Sequence, residues 1–178
     1  MRDLFIRKDM APTVSLLYSA VEENRLRLAS IVSRMTHREL YDKGCCQTKN
    51  STAQLLQHIA NVDIRWVWRI KENRVPDHIE DIYGPMTDES GRLPEPKNQP
   101  GLEELLTRLT RHQHVVNELK SVCKTLTEND LHQTLSYEGD KATVRWGIWH
   151  MADHNRYHQA HIEALKKEWK QDIIKNAR

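Results

Sequence analysis

The sequence predicts an all-α protein, a bundle of four long helices. Six Gly and six Pro among 178 residues leave few breaks, and no strand-like alternation of β-branched residues stands out. In addition, four segments of ~22–30 residues repeat apolar side chains at helical spacing with charges between them.

The first helix is expected from Ala11 to about Thr36, where Leu16, Leu17, Ala20, Val21, Leu26, Leu28, Ile31, Val32 and Met35 recur. The stretch "HRELYDKGCCQTKN" then reads as a connection. Asn50 or Ser51 offers an N-cap for the second helix, "TAQLLQHIANVDIRWVWRIKENR", which should end before Pro76 because the residue preceding proline disfavours helix. Residues Val75 to Pro100 carry five of the six prolines together with Gly84 and Gly91, and they predict a long excursion of lid or arm character between helices two and three. The third helix begins after Pro100-Gly101 and carries Leu102, Leu105, Leu106, Leu109, Val116, Leu119 and Val122. After a last connection, "TENDLHQTLSYEGDKAT", the fourth helix follows from a cap at or near Thr143. The length fits one domain, residues 1–178, with a single sizeable core.

Composition narrows the function classes. Lys and Arg number 27 against 25 Asp and Glu, giving a net charge of +2 without a basic block, so nothing resembles a nucleic-acid footprint. No window approaches the ~20 apolar residues of a membrane span, and the first residues lack the apolar stretch of a signal peptide. The expected location is the cytoplasm. Cys45, Cys46 and Cys123 lack CxxC spacing and read as reduced thiols rather than a disulfide framework.

Chemistry concentrates in "WGIWHMADHNRYHQAHIEAL", Trp146 to Leu165, which holds four of the ten histidines. His150, His154 and His158 are spaced by four and share one helix face, with His161 one turn beyond His158 near the same stripe. Two imidazoles at i and i+4 can reach one divalent ion, and spacing alone does not choose between the pair His150 and His154 and the pair His154 and His158. A further ligand has to come from a facing helix. His58 is the candidate, because it lies among Leu55, Leu56, Ile59 and Val62, where an imidazole needs a partner. Asp63 and Asp153 are candidate acceptors that would orient ligating imidazoles, and Trp66, Trp149 and Tyr157 are candidate pocket walls. His37, His78, His112, His114 and His132 have polar neighbours and read as surface or loop residues.

The fourth-helix run "WHMADHNRYHQAHI" resembles the motif of the DinB/YfiT-like superfamily, carried here by His154, His158, His161 and Ile162. The second-helix "STAQLLQHIANVD" is similar to that family's other signature, a Ser/Thr-led helix start with a histidine seven positions on, here Ser51 and His58. The resemblance covers nearly the whole chain. Where many members have Glu after the first motif histidine and Arg-Gly-Gln after the second, this chain has Asn155 and Gln159-Ala160-His161. The resemblance implies an antiparallel four-helix bundle holding a divalent metal, zinc or nickel, on His58, His154 and His158, with His150 and His161 as candidate additional ligands or proton carriers. It also implies a metal-dependent transferase of a low-molecular-weight thiol such as bacillithiol to an electrophile, or a hydrolase. The alternative is a non-enzymatic stress-response or binding protein whose metal is structural or absent. The expected assembly is a homodimer, with no nucleic-acid or membrane partner.

Overall fold

Three of the long helices start where a proline or a short polar side chain serves the first turn. The computed structural model describes the backbone of residues 3–105 and 112–176. Helix α1 spans Pro12–Val32 with its proline in the first turn, where no backbone donor is needed. Helix α3, Thr52–Glu72, opens with a capping box: the Ser51 hydroxyl accepts from the Gln54 amide, and the Gln54 side chain accepts from the Ser51 amide. It closes at Asn73 in the left-handed conformation, three residues ahead of Pro76. Helix α6, Val144–Asn176, begins with the Thr143 hydroxyl accepting from the Trp146 amide at 3.1 Å.

Shorter elements fill the connections. Helix α2, His37–Tyr41, is capped by Thr36, and helix α4, His78–Tyr83, lies inside the excursion after α3 and buries Ile79. Residues 102–105 are helical, and helix α5 spans His112–Thr125. The side chains of Leu106, Leu109, His112, His114 and Val116 lie outside the described residues. The last connection is more ordered than its composition predicts. It holds a 3₁₀ turn, Asp130–His132, and a hairpin of β1, Thr134–Tyr137, with β2, Asp140–Thr143, paired so that Leu135 faces Ala142. Its two-residue turn places Glu138 and Gly139 at φ 49° and 82°, the left-handed pair that a tight hairpin requires.

Among the described residues the fold is thus mostly helical with one small two-stranded sheet. Helix α6 packs against α1 and α3, and α5 packs against the same two. The interior is divided. One apolar cluster gathers Val14, Tyr18, Val21, Trp66, Leu119, Ile148 and Met151, and a second gathers Leu28, Val32, Leu40, Leu55, Leu56, Ile59 and Ile162. Between them runs a polar belt. In it Gln159 Nε2 donates to the Asn24 carbonyl at 2.7 Å and to Asn155 Oδ1 at 3.1 Å, while Arg25 pairs with Asp63 at 3.1 Å. His58, His154 and His158 lie at the same level, flanked in sequence by members of both clusters. Among the described residues no helix is long and apolar enough to cross a membrane.

Candidate metal centre

The belt brings His58 of α3 together with His154 and His158 of α6. Two turns after the capping box, His58 points at the first half of α6, where the i, i+4 spacing stacks the other two imidazoles. The Nε2 atoms of His58 and His158 each lie 3.1 Å from Nε2 of His154, and one ligand atom from each ring falls within 4.8 Å of the others. His158 is buried at 8 % exposure and the other two are half-buried.

The electrostatics keep these rings neutral. Burial is the main cause, and it lowers the His58 pKa, brings His154 down to about 2 with help from the neighbouring His158, His58 and His150, and brings His158 down to about 3 with help from His58 and His161. A neutral imidazole presents a lone pair, which is what a metal requires.

Hydrogen bonding alone serves the cluster poorly. Nε2 of His154 faces two equivalent nitrogens, and a neutral ring nitrogen there either donates or accepts. The Nδ1 atoms of all three rings are buried without a hydrogen-bond partner. One divalent cation satisfies three inward lone pairs at once, and bonds of about 2.0–2.1 Å at tetrahedral angles put ligand nitrogens about 3.4 Å apart, close to the 3.1 Å that separates His154 Nε2 from each of the other two. The donor set therefore fits a borderline-soft ion.

Other sequence-derived candidates are placed differently. His150 stays out of the cluster and stacks on Trp146 at 4.6 Å, though its ring centroid is 5.5 Å from that of His154. His161 is exposed, with its ring against Tyr157 at 4.4 Å. The two carboxylates do not orient the imidazoles. Asp63 is spent on Arg25, and Asp153 sits on the exposed face of α6, leaving the three Nδ1 atoms without either. Of the aromatic candidates, Trp66 is fully buried and borders the cavity beside the triad. Trp149 and Tyr157 are 46 % and 60 % exposed, and neither lines it. Tyr157 still meets the edge of His158, with ring centroids 5.1 Å apart.

That cavity, about 400 Å³, is bounded by His58 and His154, by His150, by Tyr137 and Glu138 of the hairpin, and by Met86 of the excursion. Arg65 and Arg69 of α3 complete it. Reading from sequence missed these two arginines and the hairpin. The arginines carried a signal, since residues 58, 62, 65 and 69 form one helical stripe.

The mostly helical chain thus brings together three histidines that could hold a metal ion. A sequence model of the DinB superfamily matches residues 20–162, and the chain belongs to that superfamily, whose members bind divalent metal. It is 82 % identical over 178 residues, the full length of both chains, to "Uncharacterized protein YkkA" of Bacillus subtilis (strain 168).

Proposed function

We propose that His58, His154 and His158 hold one divalent ion, zinc or nickel, and that the protein is a metal-dependent enzyme transferring a low-molecular-weight thiol such as bacillithiol or hydrolysing a small substrate. The observation that carries this reading is a cluster of three neutral imidazoles, two of which, His58 and His154, line a cavity. When bound with an open position, such an ion supplies Lewis acidity that lowers the pKa of a water or thiol toward neutrality.

The chain's own residues do the rest. Three imidazoles from two helices hold the ion, and the packed helices fix their angles. Trp66 and Met86 give the cavity two apolar walls, and Met86 supports a covering role for the Val75 to Pro100 excursion. His150 lines the same cavity, which supports its reading as proton carrier. The ring of α1, α3, α5 and α6 is read as the antiparallel four-helix bundle implied by the superfamily. Exposed Leu16 and Leu26 on α1 support the homodimer reading.

A structural, closed four-histidine site has less support, because His150 is held in an aromatic stack and His161 is exposed. Elemental analysis of untagged protein beside His58→Ala and His158→Ala tests the site. About one metal per chain, lost in both variants, is the expected result. Undiminished metal in the variants would show that the ion sits elsewhere. Loaded protein is then screened with thiols and electrophiles, and with hydrolysable esters and amides.

A further inference from the structure

Two guanidinium groups share the cavity with His58 and His154 of the triad. Arg65 and Arg69 lie two and three turns beyond His58 on the same stripe of α3, about 10 and 16 Å along its axis. Neither is an ordinary solvated surface charge. The Arg65 side chain is 17 % exposed, and its Nε donates to Asn61 Oδ1 at 2.7 Å. Asn61 is itself 1 % exposed and donates to the Gly84 carbonyl at 2.8 Å, so a buried amide aims the Arg65 fork. Arg69 lies over the rings of Trp66 and Tyr137, at 5.3 and 5.4 Å from their centroids. Burial, followed by the positive charge of Arg65, weakens its hold on its proton.

The nearby carboxylates only partly offset this charge. Glu80 approaches Arg65 at 3.7 Å and is 61 % exposed. Glu138 borders the cavity from the hairpin turn and is exposed. Among the described residues no carboxylate lies within ion-pair distance of Arg69, and the charge of Glu138 acts on it only as a smaller opposing influence. Two like charges held together in a partly desolvated cavity repel, and an anion bound between them removes that penalty while gaining charge-assisted hydrogen bonds. Guanidinium forks match the planar geometry of carboxylate and phosphate oxygens.

We propose that Arg65 and Arg69 form an oxyanion dock for a carboxylate or phosphate carried by the substrate, with the reacting part of the molecule turned toward His58 and His154. The substrate would then be a small anionic molecule, since about 400 Å³ is near the lower end of ligand pockets. The inference rests on the metal-centre reading for its catalytic meaning, although the dock itself needs no metal.

The test titrates inorganic phosphate and malonate separately into the full-length protein, stripped of metal and then loaded with zinc, at constant ionic strength in chloride. Binding is read by calorimetry and by tryptophan fluorescence. The expected result is one saturable anion site per chain in both forms, weakened about tenfold or more in Arg65→Gln and in Arg69→Gln, with Arg65→Lys in between. Arg65→Gln guards against misfolding, because Arg65 makes none of the ring contacts that Arg69 makes with Trp66 and Tyr137, and circular dichroism checks both variants. Phosphate binding alone would point to a phosphorylated substrate and malonate binding alone to a carboxylate; either supports the dock. Equal affinity in the arginine variants, saturation only in loaded protein, or no binding of either anion overturns it. Because His158→Ala should lose metal and keep the anion site, failure of the dock and failure of the metal centre are read separately.

Discussion

The indole of Trp66 lies directly against the backbone of Gly147: a Cβ at position 147 would fall 2.6 Å from the ring carbons Cε3 and Cζ3. This contact sets how closely α3 and α6 approach beside the triad. Tyr137, Trp146 and His150 surround the same indole, with centroids at 4.8, 5.5 and 5.7 Å, so it has little room to yield.

Gly147→Ala should therefore destabilise the fold even though alanine is the better helix former. Overpacking outweighs the gain of about 1 kcal/mol in helix propensity, for a net loss of about 2 kcal/mol and a drop in Tm of about 6 °C. Thermal and urea denaturation measure it. A variant as stable as the parent would show that the helices can spread at no cost.

Metal should stabilise the folded chain through the triad. Zinc at a hundred times its Kd adds about 2.7 kcal/mol and raises Tm by several degrees, and a chelator reverses the shift. In His154→Ala the rise should vanish, since that ring faces both of the others. Scanning calorimetry with and without chelator decides the point.

Asp63 gives stability a defined dependence on pH. It is 0 % exposed, and burial lifts its pKa from 3.8 to about 6 against the opposing pull of Arg25. The folded state thus holds the proton more tightly than the unfolded chain. Its stabilising contribution is complete below about pH 4, declines as pH rises to about 6 and then levels, a change on the order of 2 kcal/mol. Denaturation midpoints of Asp63→Asn and the parent, compared between pH 4 and 7, should differ in slope by this amount. Parallel curves would place the carboxyl near its ordinary pKa.

The three thiols should divide two to one toward an aromatic disulfide reagent. Cys45 and Cys46 are exposed with sulfurs 3.6 Å apart, and the hydrogen bond that the neutral Cys45 thiol shares with Cys46 raises the Cys45 pKa, so their labelling should accelerate as pH rises. Cys123 is buried, and burial pushes its thiol up to about 12. It should react only after denaturation. Three fast thiols in native protein would contradict the packing around α5.

Elements with strong local chemistry were the legible ones. Ser51 followed by Gln54 marks the start of α3, Pro76 bounds its end, and an i, i+4 pair of histidines marks a face of α6. The pairing of His58 with His154 and His158 needed only that the two helices touch. The hairpin escaped because four-residue strands are too short to display alternation, and its turn depends on Glu138 taking a left-handed φ usually left to glycine or asparagine. Arg65 and Arg69 escaped because a charge on an amphipathic helix ordinarily faces water. Their burial arises from Trp66, Tyr137 and Met86, which meet only in three dimensions. The orienting roles read for Asp63 and Asp153 came from sequence proximity, which says nothing about which way a carboxylate turns.

The polar belt also works as an alignment key for the helices. Sliding α6 by one turn, about 5.4 Å, along α1 would carry Gln159 away from the Asn24 carbonyl and into one of the oily clusters, breaking the hydrogen bond that its Nε2 now donates between the two helices. Oil against oil tolerates many offsets; amide against carbonyl tolerates few. The same interlock that admits a single offset also sets the height at which α6 presents its histidines to α3, so the reading frame of the helices and the assembly of the triad are one constraint.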